Sequence, residues 1–170
     1  MHMNGSDYEN ELDNDSEQED IDALIRMSDV EIDRVFNPRQ MVFVYGSLKR
    51  GFGNHYFLHN AKFCGITETV DSAFRMHSMG AFPAVTETSE KGYHITGELY
   101  EVDADTMREL DKLEGNGVFY SRKRVRVYTV EGIIEAWMYL LPEMPNKELI
   151  LMSRFVYTNE NLNTQEWNQY

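Results

Sequence analysis

The chain has 170 residues, 42% of them hydrophobic, and a formal net charge of −13. That length suits one globular domain with its own hydrophobic core. No apolar run reaches the roughly 18 residues that a membrane-spanning helix needs, and the N-terminus lacks the basic start and apolar centre of a secretory signal. We therefore expect a cytoplasmic protein that has no membrane partner.

The negative charge is concentrated in residues 1–38, which we treat as an acidic leader. This segment holds twelve acidic residues and two arginines, a net charge of −10, so the other 132 residues carry only −3. Residues 1–20 are too polar to offset the entropy of ordering and are expected to be disordered.

Residues 17–36 carry apolar side chains at helical spacing. Ser16 and Glu19 offer a capping box at the start of this helix, and Asn37-Pro38 would end it. Its apolar face would either pack on the domain, which we favour modestly, or dock on a protein partner.

The stretch most informative about function is residues 41–48, Met-Val-Phe-Val-Tyr-Gly-Ser-Leu. The first four predict a short buried strand, which Gly46 and Ser47 end with a turn. A glycine-rich basic loop follows, over residues 49–54. The commoner interpretation is a tight β-turn, and the alternative is a cradle of backbone N–H groups for an anion.

The rest of the chain predicts short strands with few, brief helices. A helical or looped return is expected at residues 54–58, a turn or cavity lip at 79–85, and a polar loop at 87–92. A helix begins at 103–105 and ends at Gly115, a closing helix covers 147–157, and a polar tail fills 158–170. Strands are predicted at residues 61–70, 72–78, 93–102, 119–130 and 133–141. The fold class is α+β: a small mixed, mostly antiparallel β-barrel with short flanking helices, in a domain spanning residues 39–157.

Glu114 is the candidate acid/base, because it stands last before the glycine that ends the predicted helix. A carboxylate at a helix C-terminus meets the negative end of the helix dipole. If the site is also desolvated, both effects raise the pKa toward the range of a general base. The alternative, commoner for a single glutamate, is an exposed side chain beside a helix cap.

Metal, disulfide and nucleophile chemistry have little support in the sequence. The lone Cys64, expected to be a small core residue, excludes an internal disulfide and a cysteine metal site. His55 and His59 are spaced as a zinc pair on a helix would be, but no third ligand motif accompanies them. Ser47 lacks a nucleophile elbow, and no cofactor-binding glycine pattern is present. We expect no metal and no cofactor.

Residues 122–126 contain the one basic cluster, with Arg122, Arg124 and Arg126 on one face of a strand and Val125 and Val127 on the other. A solvated outer face is the favoured interpretation. A nucleic-acid groove is disfavoured, because the chain is acidic and no aromatic stacking pattern accompanies the cluster. A further hypothesis is that the acidic leader folds back onto this ridge.

Four segments, in order, resemble the γ-glutamylcyclotransferase-like proteins, in particular the γ-glutamylamine cyclotransferase and AIG2-like branch. The resemblance spans residues 42–141, and four ordered motifs are far more specific than one. Residues 1–38 have no counterpart in it. The segments are Val-Tyr-Gly-Ser-Leu-Lys-Arg-Gly at 44–51 with Asn54, Gly-Ala-Phe-Pro-Ala-Val at 80–85, Gly-Glu-Leu-Tyr-Glu-Val at 97–102, and Leu-Asp-Lys-Leu-Glu-Gly at 110–115 followed by Tyr-Ser-Arg at 120–122.

The resemblance implies a compact β-barrel whose cavity binds a γ-glutamyl group, which would lose its amine or amino acid as 5-oxoproline forms. The substrate's own α-amine would attack its γ-carbonyl, with Glu114 as acid/base. The backbone N–H groups of the loop would hold the α-carboxylate, and two tyrosines are expected in the cavity wall. The implied binding residues are Tyr45, Gly46, Ser47 and Leu48 in the loop, and Tyr120 and Tyr139 in the wall. The alternative is a non-catalytic module of the same fold, acting on a protein partner through the acidic leader.

Overall fold

The computed structural model describes residues 19–23, 25–79, 82–142 and 150–151. Residues 1–18, including Ser16 of the predicted capping box, and the tail at 158–170 lie outside the described residues, as does most of the predicted closing helix. The chain divides into two compact units, Met1–Pro38 and Arg39–Tyr170. Among the described residues, no helix combines the length and apolar character of a membrane span.

The described part of the first unit, from residue 19 onward, has two helical pieces instead of the single helix predicted over residues 17–36. Residues 19–23 and 25–26 are helical, the helix breaks at Met27 and Ser28, and a new helix, α1, covers Asp29–Phe36. The Ser28 hydroxyl accepts a 3.3 Å hydrogen bond from the N–H of Glu31, whose carboxylate accepts a 2.9 Å bond from the N–H of Ser28. This reciprocal capping box starts a helix at Ser28, so the prediction of one continuous helix was wrong.

Within the described residues, the second unit has eight strands, a 3₁₀ helix and one α-helix. The 3₁₀ helix covers His55–Leu58, and α2 covers Ala104–Glu114. The strands are β1 Gln40–Val44, β2 Lys62–Glu68, β3 Phe74–Ser78, β4 Pro83–Glu87, β5 Thr96–Val102, β6 Ser121–Thr129, β7 Gly132–Leu140 and β8 Ile150–Leu151.

Five strands form the main sheet, in the order β2-β5-β1-β7-β6. Every pair in it is antiparallel except β1 with β7, which run parallel. The two edge strands meet beyond the end of β2, where Thr69 bridges Val127 and the N–H of Val70 donates to the carbonyl of Arg126 at 2.8 Å. The sheet thus curls into a nearly closed barrel beside the smaller sheet β4-β3-β8. The predicted α+β class with a mixed, mostly antiparallel sheet is confirmed.

Strand β1 lies at the centre of the main sheet and is buried on both faces, which explains its unbroken apolar run. Phe43 packs in one core cluster, with Met138 and Leu99, while Val42 and Val44 pack in a second cluster. Alternate residues of a strand point to opposite faces, so β1 joins the two clusters. The second cluster also receives Met107 and Leu110 of α2.

Helix α2 begins and ends where its sequence signals place it. The Asp103 carboxylate accepts a 2.7 Å hydrogen bond from the N–H of Thr106 at the start. Gly115 ends the helix in the left-handed conformation, with φ of 58°. Since this cap fixes the last helical turn, it also fixes where Glu114 stands.

Three expectations about local structure were wrong. The segment at 79–85 was expected not to form a regular element, but Pro83 opens β4, an edge strand in which a first-position proline costs no ladder bond. Ile150 and Leu151, predicted as helical, pair with β3 as a strand. Cys64 is exposed, because β2 is an edge strand whose register shifts between Phe63 and Gly65.

Candidate active site

A cavity of about 200 Å³ lies where β1 runs into its glycine-containing turn, beside the C-terminal end of α2. Residues from four places in the second unit line it: the end of β1 with the following loop, the start of β4, the end of α2 with the loop after it, and β7. The lining residues are Phe43, Val44, Tyr45, Gly46, Ser47, Leu48, Asn54, Phe82, Pro83, Leu113, Glu114, Phe119, Tyr120 and Tyr139.

The loop after β1 forms one wall of the cavity and is held by its own hydrogen bonds. The N–H of Asn54 donates to the carbonyl of Ser47 at 3.2 Å, and the Asn54 amide donates to the Ser47 hydroxyl at 2.9 Å. In the part of the chain that the structure describes, no acceptor is paired with the N–H of Ser47 or Leu48. Backbone N–H groups of two residues that line the cavity, Ser47 and Leu48, are therefore available as hydrogen-bond donors.

Glu98 of β5 anchors this loop. Glu98 is buried, with only 8% of its surface exposed. One carboxylate oxygen accepts both the N–H of Arg50 at 2.9 Å and the hydroxyl of Tyr100 at 2.7 Å, and the other pairs with the Arg50 guanidinium at 3.4 Å. The guanidinium also lies 3.7 Å from the centre of the Phe63 ring. Because this buried carboxylate accepts several hydrogen bonds, some of them charge-assisted, it holds the loop in one conformation.

Glu114 lies on the cavity, partly buried at the last position of α2. Burial raises its pKa from 4.5 to about 7, because loss of hydration disfavours the charged form. Its negative charge in turn helps to raise the pKa of the Tyr120 hydroxyl, where burial is the larger cause. Glu114 is therefore not the fully exposed side chain beside a helix cap that was the alternative interpretation.

Tyr45 and Tyr139 are held by hydrogen bonds on the same cavity. The Tyr45 hydroxyl donates to the carbonyl of Tyr139 at 2.8 Å and accepts from the N–H of Val85 at 3.3 Å. The Tyr139 hydroxyl donates to Asp111 at 2.6 Å. Burial, then the contact with the Asp111 carboxylate, raises the pKa of Tyr139 well above its ordinary value. Both phenols thus serve as fixed, neutral wall groups.

Asp111 also pairs with Arg122, which separates this arginine from the rest of the basic cluster. The Asp111 carboxylate lies 3.1 Å from the Arg122 guanidinium, whose carbon sits 4.6 Å from the centre of the Trp137 ring. The side chain of Arg122 is 20% exposed, whereas those of Arg124 and Arg126 are more than half exposed. The solvated-face interpretation therefore fits Arg124 and Arg126 but not Arg122.

The structure brings all seven sequence-predicted site residues to one cavity. They are Glu114, Tyr45, Gly46, Ser47, Leu48, Tyr120 and Tyr139. Sequence reasoning gave no role to the supports Glu98, Asp111 and Arg122, or to the lining residue Phe119. Phe82 and Pro83 belong to the segment expected to be a turn or a cavity lip, and both line the cavity. The place of the three supports in the motif segments was the available signal, but their hydrogen-bond and ion-pair partners lie too far along the chain to be inferred. Phe119 stands outside the motif segments and carried no such signal.

The two histidines spaced like a zinc pair point to other partners. His55 Nδ1 lies 3.0 Å from the carbonyl of Leu48, and His59 Nδ1 lies 2.7 Å from that of Tyr56. Over the described ranges, no group of three or more His, Cys, Asp or Glu side chains could hold a metal ion.

Comparison with known proteins places this geometry in a family. A family model described as gamma-glutamyl cyclotransferase, AIG2-like, matches residues 42–162. A Methanocaldococcus jannaschii protein named "Putative gamma-glutamylcyclotransferase" is 45% identical over 106 residues, which cover 61% of this chain and 86% of that protein. The gamma-glutamylcyclotransferase family protein YtfP of Escherichia coli K12 is 33% identical over 99 residues, 58% of this chain and 80% of the relative.

A solved structure of an AIG2-like protein has a similar fold. The crystal structure of an AIG2-like protein from Mus musculus superposes with a TM-score of 0.63 at 30% sequence identity, covering 71% of this chain and 88% of the mouse chain. The four motif segments and the cavity they build all fall inside the matched region, residues 42–162.

Proposed function

Because this chain belongs to the gamma-glutamyl cyclotransferase, AIG2-like family, we propose that its cavity converts a γ-glutamyl amine into 5-oxoproline and a free amine. The observation that carries the proposal is Glu114, a partly buried carboxyl group with its pKa raised to about 7 on a cavity lined by the loop after β1. That combination is what an internal cyclisation requires: a group that moves a proton near neutral pH and a surface that positions a folded substrate.

The loop after β1 would bind the glutamyl α-carboxylate. The N–H groups of Ser47 and Leu48 are suitable donors, and Gly46 keeps this backbone close to Pro83, since a Cβ at Gly46 would lie 3.2 Å from the proline ring. Tyr45 belongs to the same wall. Fixing the carboxylate leaves the α-amine and the γ-carbonyl as the two ends that the cavity must bring together.

The proposed reaction needs no nucleophile from the protein. The α-nitrogen attacks the γ-carbon, a carbon–nitrogen bond forms to close a five-membered ring, and the bond from the γ-carbon to the amide nitrogen breaks. One proton passes from the attacking nitrogen to the leaving nitrogen, and no water is consumed. Holding the two ends in contact can supply several kcal/mol, up to about 10 in favourable cases.

Glu114 would carry that proton. As a carboxylate it accepts the proton from the attacking amine, and as a carboxylic acid it returns the proton to the leaving nitrogen. A pKa of about 7 balances the two tasks, because both forms are populated near neutral pH. The neutral hydroxyls of Tyr120 and Tyr139 would line the cavity without competing for the proton.

The charge of the cavity favours a leaving amine over a leaving amino acid. Among the described residues that line it, Glu114 is the only charged side chain and none is cationic. A leaving amino acid would place its carboxylate beside the scissile nitrogen, close to Glu114 and without a compensating cation. A leaving group that has no carboxylate next to its nitrogen avoids that repulsion.

The test is the release of 5-oxoproline from a panel of γ-glutamyl amines and γ-glutamyl amino acids, with Glu114→Gln beside the natural sequence. Turnover by the natural protein, with rates for the variant reduced by at least about a hundredfold, would support the proposal. No turnover by folded natural protein across the panel would refute it.

We further propose that the leader engages a protein partner. Helix α1 has no buried residue, and Val35 and Phe36 are more than half exposed beside acidic side chains. Deleting residues 1–38 should leave 5-oxoproline release unchanged and abolish a complex recovered from the cells that make the protein. A complex that survives the deletion would refute this role.

A further inference from the structure

Three apolar side chains at the mouth of the active-site cavity have no role in the proposed chemistry. Phe82, Leu113 and Phe119 all line the cavity, and they are 37%, 36% and 40% exposed. The other lining residues, including Glu114 and the tyrosines, are buried or half-buried. A side chain that lines a cavity and also meets solvent lies at its opening, so these three form an apolar mouth.

The mouth is held in place by backbone structure. Phe119 follows the α2 cap, where its N–H donates to the carbonyl of Gly115 at 2.8 Å, and its ring packs edge-on against Tyr120 at 5.0 Å. Leu113 directly precedes Glu114 on α2. Phe82 directly precedes Pro83, whose ring lies against Gly46. The mouth is therefore tied to both the acid/base and the carboxylate-binding loop.

The direction of the substrate follows from this arrangement. The loop after β1 and Glu114 together engage the glutamyl part, so the remaining part of the substrate, the leaving amine, must extend from the scissile nitrogen toward the opening. Exposed aromatic and leucine side chains gain free energy when apolar surface covers them. A leaving amine with a hydrocarbon chain or ring would cover them and would itself lose exposed apolar surface.

On the basis of the proposed function, we propose that Phe82, Leu113 and Phe119 form a subsite that selects leaving amines with an apolar chain. It would contribute to specificity rather than to the chemical step, because its side chains carry no group that can transfer a proton. The loop at residues 115–120 would then set the choice of leaving group, a function that its sequence alone does not indicate.

The experiment compares three substrates that share the glutamyl part: γ-glutamyl methylamide, pentylamide and 5-aminopentylamide. The last two share a five-carbon chain and differ by a terminal ammonium. The protein is tested in its natural form and as Phe119→Ala and Phe82→Ala. Val118→Ala is the matched control, because Val118 lies in the same loop, is 94% exposed and does not line the cavity.

We expect kcat/KM for the pentylamide to exceed that for the methylamide by about tenfold or more, since each methylene in an apolar site adds to discrimination. Phe119→Ala and Phe82→Ala should each reduce the pentylamide value by about three- to tenfold more than the methylamide value. Val118→Ala should change neither. Equal rates for all three substrates, a preference for the 5-aminopentylamide, or an equal loss in Val118→Ala would overturn the subsite.

Measuring substrate affinity tests the apolar subsite independently of the proposed reaction. Calorimetry with Glu114→Gln, in which the substrate should persist, measures the affinity for the methylamide and the pentylamide directly. Turnover of all substrates without any chain preference would keep the cyclotransferase and refute the subsite. Tighter pentylamide binding without turnover by the natural protein would refute the reaction and keep an apolar binding mouth, whereas equal or undetectable binding would refute both.

Discussion

The hydroxyl of Tyr139 donates a 2.6 Å hydrogen bond to Asp111, which stands one helical turn before Glu114 on α2. The bond joins β7 to the helix that presents the proposed acid/base, Glu114. Because Asp111 is also paired with Arg122 of β6, one carboxylate connects three elements beside the cavity. The position of Glu114 thus depends on contacts that are not part of the chemistry.

Asp111→Asn should weaken this connection. The amide is a weaker acceptor for the Tyr139 hydroxyl and leaves Arg122 without its ion partner, so the free energy of unfolding should fall by about 1–3 kcal/mol. Urea denaturation measures the change. Asp105→Asn is the control on the same helix, because its exposed pair with Arg108 should contribute less than about 1 kcal/mol. Equal losses in the two variants would contradict the proposed support.

The pH dependence of the reaction should report Glu114. The proposed base is the carboxylate, and its pKa is raised to about 7, so kcat/KM should rise through roughly pH 6 to 8 with its half-maximum near pH 7, and level off above that range. A pH–rate profile with a γ-glutamyl amine measures it. A half-maximum near pH 4.5, the ordinary value for a glutamate, would show that the acting group is not desolvated.

Stability should vary with pH in the opposite sense. The folded pKa of Glu114 lies above the unfolded value of 4.5, so the folded protein binds more protons between about pH 4.5 and 7, and this group's contribution to stability falls as pH rises through that window. Glu114→Gln removes the effect. After allowance for the partial exposure of Glu114, the free energy of unfolding of the variant should exceed that of the natural protein by about 1–3 kcal/mol at pH 8. Denaturation at pH 5 and pH 8 tests this, and a difference that does not grow with pH would argue against a buried carboxylate.

Glu98→Gln should loosen the loop after β1. A single amide oxygen cannot replace both carboxylate oxygens, which now accept from the Arg50 N–H, the Arg50 guanidinium and the Tyr100 hydroxyl. Because the loop is proposed to hold the α-carboxylate in ground and transition states alike, KM should rise about three- to tenfold while kcat changes little. Glu101→Gln, on the same strand but beside a different cavity, is the control. A fall in kcat with KM unchanged would contradict this role.

Gly97→Ala should disrupt the barrel at the strand that carries the site. A Cβ at Gly97 would lie 2.4 Å from the carbonyl oxygen of Val44 and 2.7 Å from the Phe43 ring. Backbone cannot yield as a flexible side chain can, so the loss of stability should be about 3 kcal/mol or more. Gly53→Ala meets no atom within 4 Å and should change stability by less than about 1 kcal/mol. Thermal unfolding of both variants decides the point, and similar melting temperatures would refute it.

Local sequence signals predicted those parts of the fold that local interactions determine. The apolar run of β1, the Asp103 cap and Gly115 end of α2, and the alternation of β6 all depend on residues a few positions apart. The capping box of Ser28 and Glu31 is equally local. It was missed because Ser28 also fits the apolar spacing of a longer helix, and in the structure the cap prevails over that spacing.

The features that could not be predicted from the sequence depend on contacts between segments that are distant along the chain. Ile150 becomes a strand because Ser78 offers it a partner, and Cys64 turns outward because of a register shift on an edge strand. In the site, the position of Glu114 on the cavity could be predicted from its motif. The supports Glu98 and Asp111 could not, because their hydrogen-bond partners lie 48 and 28 residues away.

The same separations bear on how the protein is made. The loop at residues 45–54 is synthesised early, yet its anchor Glu98 follows Arg50 by 48 residues, and the carbonyl that fixes the Tyr45 hydroxyl follows by 94. Strand β1 likewise cannot acquire its parallel neighbour β7 until residue 137 is available. Folds dominated by such distant pairings form slowly. A nascent chain should therefore remain without a substrate site until β7 has left the ribosome, and the emerging β1 hydrophobic stretch is the part that chaperones would need to shield.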